Sequence, residues 1–134
     1  MGAWGHRNFE DDDAMDFVGE FKEEPSENLL MESLSLIVDA HENEEYIEAP
    51  EASAALAAAE LVAAALRKPS SDCLDGLEES LKRLGAGENV ALRKLARKAV
   101  KYILKESELQ ELWVEGGEPN DWQAVQRDLL TRLN

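Results

Sequence analysis

Pro50-Glu51-Ala52-Ser53-Ala54-Ala55-Leu56-Ala57-Ala58-Ala59-Glu60-Leu61-Val62-Ala63-Ala64-Ala65-Leu66-Arg67 is the stretch whose reading decides the fold. Alanine loses no side-chain entropy on entering a helix, so a run this rich in it has high helical propensity. It also makes a slim helix, with Leu56, Leu61, Val62 and Leu66 adding bulk. A slim helix lets neighbours pack close, which places this one at the centre. Pro50 suits a helix start, where its missing N–H has no partner to lose. Pro69 ends the helix, because the residue before a proline avoids the α region.

Working outward, the same logic gives helices on both sides. Upstream, aspartates Asp11 and Asp12 open a helix running to about Glu23, capping free N–H groups at its positive end. Ala14, Phe17, Val18 and Phe21 form its apolar face, and Gly19 either weakens it or lets another element come close. Pro25 closes it, and Ser26 caps a second helix to about Ala40 with Leu30, Leu34, Ile37 and Val38 buried. Downstream, Ser70, Ser71 or Asp72 is expected to cap a fourth helix to Leu84. Gly85 and Gly87 then act as stop signals. A fifth helix is expected over 88–105, with Leu92, Leu95, Ala96, Ala99, Ile103 and Leu104 inward and six Lys and Arg outward. Ser107 and Gln110 have capping-box spacing for a short sixth helix. Pro119-Asn120-Asp121 starts a seventh, with Trp122, Val125, Leu129 and Leu133 on one face. No strand pattern rises above noise. The expectation is an all-α fold, one domain over 1–134, an irregular bundle of six to seven helices.

A chain of 134 residues, 44% hydrophobic, can bury a proper core. Its single cysteine, Cys73, suits a reducing compartment. No apolar run approaches the ~20 residues of a membrane span, and the opening lacks a signal-peptide pattern. A cytoplasmic protein is expected. The net charge of −15 is unevenly spread. Residues 1–50 hold fifteen Asp and Glu against Arg7 and Lys22, a net −13, and the remaining residues hold fourteen acids against twelve bases, a net −2. Such a surface repels nucleic acid and anionic membranes and attracts basic partners.

The opening, Met1-Gly2-Ala3-Trp4-Gly5-His6-Arg7-Asn8-Phe9 and the acidic run Glu10 to Phe17, sets two large apolar anchors, Trp4 and Phe9, ahead of the first helix. It resembles the start of a small bacterial domain-of-unknown-function family that opens Met-Gly-x-Trp-Gly, then Phe, then an acidic element. The alanine-rich segment Ala52–Val62 and the segment Ser107–Trp113, with Trp122 behind it, are similar to that family as well. His6 stands where members carry a small residue, often Thr, and Arg7 where they carry Gly, so the loop after Trp4 is expected to differ. The resemblance implies a helical fold and carries no reaction, cofactor or partner.

Few constellations point to chemistry. Asp12, Asp16 and Glu20 share a helix face with His6 upstream, a set able to hold Mg²⁺ or Mn²⁺. Capping and a solvated face explain the same residues, and no Glu-x-x-His pair of the di-iron type exists. No metal or cofactor is therefore expected. No nucleophile elbow, phosphate loop or dinucleotide fingerprint is present, so an enzyme is not the favoured reading. His41 suits the negative end of the second helix. The basic fifth helix is read as pairing with the acidic first third, within the chain or across a dimer, with a solvated face as the plainer reading, and Trp4, Trp113 and Trp122 as structural anchors alongside Phe9. The favoured function is an acidic protein-interaction module, of which an inhibitor or immunity-type protein is one form. Asp13, Asp16, Glu20, Glu23, Glu24, Glu42, Glu44 and Glu45 are its candidate contacts to a basic protein partner. The alternatives are a small metal-dependent enzyme at Asp12 and Asp16, and a self-associating structural module. The oligomeric state is left open.

Overall fold

The computed structural model describes residues 7–70, 76–115 and 119–134. Among them are seven α-helices and one short 3-10 turn, and no strand. The helices are α1 (Asp12–Glu23), α2 (Glu27–Glu42), α3 (Ala49–Ala65), α4 (Leu77–Leu84), α5 (Val90–Lys105), α6 (Glu108–Glu115) and α7 (Pro119–Arg132). The all-α expectation holds. No described helix is long and apolar enough to cross a membrane.

The alanine-rich helix takes the centre. Twelve of the seventeen residues of α3 are buried, so it has no solvent face. A helix apolar all round is a core helix, not an amphipathic surface one. It packs against α1, α2, α4, α5, α6 and α7. Around it Phe17, Val18, Phe21, Leu34, Ile37, Leu92, Ile103 and Leu129 join one buried cluster. Burying each such side chain contributes about 1.5–3 kcal/mol, and this apolar burial holds the bundle together.

Local signals place the ends of the helices. Asp11 caps α1, its carboxylate accepting from the N–H groups of Asp13 (2.9 Å) and Ala14 (3.1 Å). The Ser26 hydroxyl accepts from Asn28 at 3.1 Å at the start of α2, and Ser107 Oγ accepts from Gln110 N–H at 3.1 Å at the start of α6. At the end of α3, Lys68 N–H donates to Ala63 O and Arg67 N–H to Ala64 O, each at 2.9 Å. That is a Schellman cap with Arg67, at φ 65°, in the left-handed place that glycine favours. The end of α2 repeats it, with Glu44 at φ 58°.

Three expectations need correction. The second helix continues past Ala40 to Glu42. The fourth begins at Leu77 behind a left-handed Gly76, and Ser70 does not cap it. Ser71, Asp72, Cys73 and Leu74 lie outside the described residues. The fifth begins at Val90, capped by Asn89, because 86–88 form a 3-10 turn. Gly87 there leaves no room for a Cβ against the Ala65 carbonyl. Gly19 is exposed, and among the described residues nothing lies within 4 Å of an added Cβ, so of its two readings no close approach is seen there. Of the four anchors, Phe9 (4% exposed) and Trp122 (2%) are buried. Trp113 is half-buried against the core. Trp4 lies outside the described residues.

One polar cluster lies inside the bundle. Glu60 of α3 is 1% exposed among alanines. Arg132 grips its carboxylate with two nitrogens, Nη1 to Oε1 at 2.7 Å and Nη2 to Oε2 at 3.2 Å. Asn8 Nδ2 donates to Glu60 Oε2 at 2.9 Å. The amides of Asn8 and Gln126 then pair reciprocally, at 3.0 and 2.7 Å. Arg132 also reaches Asp128 at 2.7 Å and the Lys68 carbonyl at 3.2 Å. Burial pulls the guanidinium pKa down, but the hydrogen bonds and charges of Glu60 and Asp128 together carry it above its ordinary value. The cluster fastens the opening loop and α7 onto α3.

Two predictions follow from this packing. Removing one partner of a buried ion pair leaves a bare charge and costs about 3–5 kcal/mol. Glu60→Leu and Arg132→Leu singly should each lose about that much in denaturant unfolding. The double variant should recover most of it. A loss in the double variant equal to the sum of the two single losses would mean the pair is not energetically coupled. Gly19→Ala should stabilise α1 by about 0.5–1 kcal/mol, since only helix entropy changes. A lower melting temperature would show that something crowds Gly19.

Candidate acidic pole

Three helix starts meet at one end of the bundle. A notch of about 270 Å³ is lined by Asp11 and Asp13 from α1, Ala49, Pro50 and Ser53 from α3, and Glu108, Leu109 and Leu112 from α6. The starts of α3 and α6 are stitched together. The Glu108 carboxylate accepts from Ala49 N–H at 2.7 Å, and Glu108 N–H donates to Ile47 O at 2.9 Å. Thus a side chain from α6 caps α3, whose own N-cap residue, Glu48, makes no side-chain cap bond. Helix starts favour negative charge, so carboxylates gather here at little cost.

The ends of α2 and α5 reach the same pole. These helices run parallel. Asn89 Nδ2 donates to Glu27 Oε2 at 2.6 Å near their starts, and His41 stacks on Tyr102 at 3.8 Å near their ends. Beyond them, the 43–48 connection folds back toward α3. It forms a recess of about 630 Å³ with His41, Glu42, Glu44, Glu45, Tyr46, Ile47 and Glu106. Tyr46 is 55% exposed and donates its hydroxyl to Glu111 at 2.7 Å.

The structure divides the eight candidate contact residues into two groups. Asp13, Glu42, Glu44 and Glu45 belong to the pole. Asp16, Glu20, Glu23 and Glu24 run down the exposed side of α1, away from it. The basic fifth helix meets the acidic third at Lys98–Glu42, 3.6 Å apart. Both side chains are about half exposed, so the pair is worth ~0–1 kcal/mol. Asp12, Asp16 and Glu20 do share an exposed face. Among the described residues, no three His, Cys, Asp or Glu side chains are grouped to hold a metal ion, and His6 lies outside the described residues.

Sequence reasoning passed over Glu108 and Glu106 at the pole and Glu60, Asn8, Gln126 and Arg132 in the interior. Glu60 had a signal. A lone carboxylate with apolar residues on every side of its helix must find a buried partner. Glu108 had none, because its task is set by a helix start 59 residues upstream.

Asp13 registers the crowding. Partial burial first, then the charges of Asp11, Asp16, Asp12 and Glu51, push its carboxyl above the ordinary 3.8. A raised folded-state pKa means that the protonated form is favoured in the fold. That stability is fully present below pH 3.8 and lost as pH rises through the folded value. Asp13→Asn should therefore melt higher than the parent at neutral pH. The gain should vanish below pH 3.8. A gain independent of pH would put its origin elsewhere.

A family model for a domain of unknown function, DUF4259, matches residues 2–125. Comparisons with curated proteins and with solved structures returned no match. With the match running over nearly the whole chain, the protein belongs to the DUF4259 family of domains of unknown function.

Proposed function

We propose that this chain is a cytoplasmic protein-interaction module whose acidic pole receives a basic segment of another protein. The observation that carries this reading is the carboxylate-lined recess at one end of a chain whose residues 1–50 hold a net −13. Glu42, Glu44 and Glu45 are exposed around a recess that also holds an exposed tyrosine. A tyrosine in an acidic recess gives a lysine or arginine side chain both charge and a ring face to stack on. The closing of α2 through a left-handed glutamate keeps a carboxylate at that corner where glycine would cost less strain. An inhibitor or immunity-type protein would use such a surface to cover a basic active face on its partner. The metal-dependent reading gains nothing comparable, since Asp12, Asp16 and Glu20 point outward from one helix.

Charge of one sign raises the rate of encounter with an oppositely charged partner, over a Debye length of ~8 Å at physiological ionic strength. A partner captured from a lysate of the producing cells should therefore bind more slowly as salt is raised. The triple variant Glu42→Gln, Glu44→Gln, Glu45→Gln should slow association severalfold. Its melting temperature should stay near the parent value, because all three side chains are exposed. Association that is indifferent to both salt and the triple variant would remove the pole from the interface.

A further inference from the structure

A second charged surface lies away from the pole. On α5, Lys94, Lys98, Lys101 and Lys105 are exposed at i, i+4, i+7 and i+11, one stripe along the helix. On α1, Asp12, Asp16, Glu20 and Glu23 are exposed at i, i+4, i+8 and i+11. Both stripes span eleven residues, about 16 Å at the rise of an α-helix. Among the described residues, one ion pair involves either stripe, Lys98 with Glu42. The chain thus displays two helix faces of matching length and opposite charge, mostly unpaired within itself.

The acidic stripe has a second feature. Gly19 lies within it, between Asp16 and Glu20, with open space beyond its Cα. A glycine inside an exposed helix lowers stability, and among the described residues nothing fills the gap it leaves. A gap of that kind allows a second helix to approach closely. On α5, Val90 is 55% exposed and Ala91 is exposed at the start of the lysine stripe, so this face is not uniformly charged.

We infer that the α5 lysine stripe of one copy of this chain docks against the α1 carboxylate stripe of a second copy. A second copy is favoured over nucleic acid because the complement is present in the chain itself, at the same length, and the remaining surface is acidic. The interaction is weak. Exposed ion pairs contribute little each, and salt screens them. Self-association therefore appears at high protein concentration and low salt. It goes beyond the acidic-pole reading and is tested with Glu42, Glu44 and Glu45 left intact.

Sedimentation equilibrium of the full chain reads the outcome. The parent should associate at low salt and be monomeric at high salt. Lys94→Glu with Lys101→Glu cancels the net charge of the lysine stripe and leaves the carboxylate stripe intact. Asp16→Lys with Glu20→Lys cancels that of the carboxylate stripe and leaves the lysine stripe intact. Each double variant alone should associate about tenfold more weakly or not at all. An equimolar mixture of the two should associate again, because each supplies the stripe the other needs. Gly19→Leu should fold, since nothing among the described residues meets its Cβ, and should weaken association by filling the gap. A parent that stays monomeric at low salt overturns the inference. So does a mixture that fails to associate, or parent association that survives both charge swaps. Binding of a short duplex oligonucleotide by the parent in preference to a second copy, lost in Lys94→Glu with Lys101→Glu, would overturn it in favour of nucleic acid.

Discussion

The constraint on which this bundle depends is the slimness of α3. A helix that touches six others on all sides must offer each of them a surface without bulk. Alanine does this, and Leu56, Leu61 and Val62 fill the gaps that remain. Small side chains let helix axes approach toward the short end of the usual ~8–10 Å range. Bulkier side chains along α3 would push α1, α2 and α5 outward together. The cost would be shared, because one residue on this helix faces several neighbours. This all-round burial also explains why Glu60 cannot be left to solvent and must be answered by Arg132.

The pole follows from how the helices are threaded around that centre. Because α2 and α5 end where α1, α3 and α6 begin, one end of the molecule collects both helix starts and the connection between α2 and α3. Carboxylates that cap and carboxylates that only face water are therefore neighbours. Asp11 and Glu108 have structural tasks and are held by backbone N–H groups. Glu42, Glu44 and Glu45 have no such task among the described residues beyond the loose contact to Lys98. That division, between acids the fold uses and acids it leaves on display, makes the pole a candidate surface.

Much of the fold was legible in local chemistry. Asp11, Ser26, Ser107, Pro25 and Pro50 each act within a few residues of themselves, and the helices they bound fall where those residues indicate. Errors came where a distant contact decides. The 3-10 turn at 86–88 lies against the Ala65 carbonyl at Gly87, a neighbour that no window around Gly87 contains. The surface was legible as a charge total but not as a place. Nothing in the sequence separates Asp13 at the pole from Glu23 at the far end of the same helix. The interior cluster was illegible for the same reason. Asn8, Gln126 and Arg132 are ordinary residues for a loop and a helix, and their meeting is a property of the fold.

The sequence distances inside that cluster set a timetable for assembly. Asn8 and Gln126 are 118 residues apart, and Glu60 and Arg132 are 72 apart. At the ~5–20 residues per second of synthesis, Glu60 waits on the order of 4–14 s for its arginine. Through that interval α3 carries a carboxylate that cannot be buried alone, although α1 and α2 are already present to pack on it. The central helix of the finished molecule is therefore the one whose burial completes last. A nascent chain lacking α7 holds an alanine-rich apolar surface that stays accessible to chaperones until the final turn emerges.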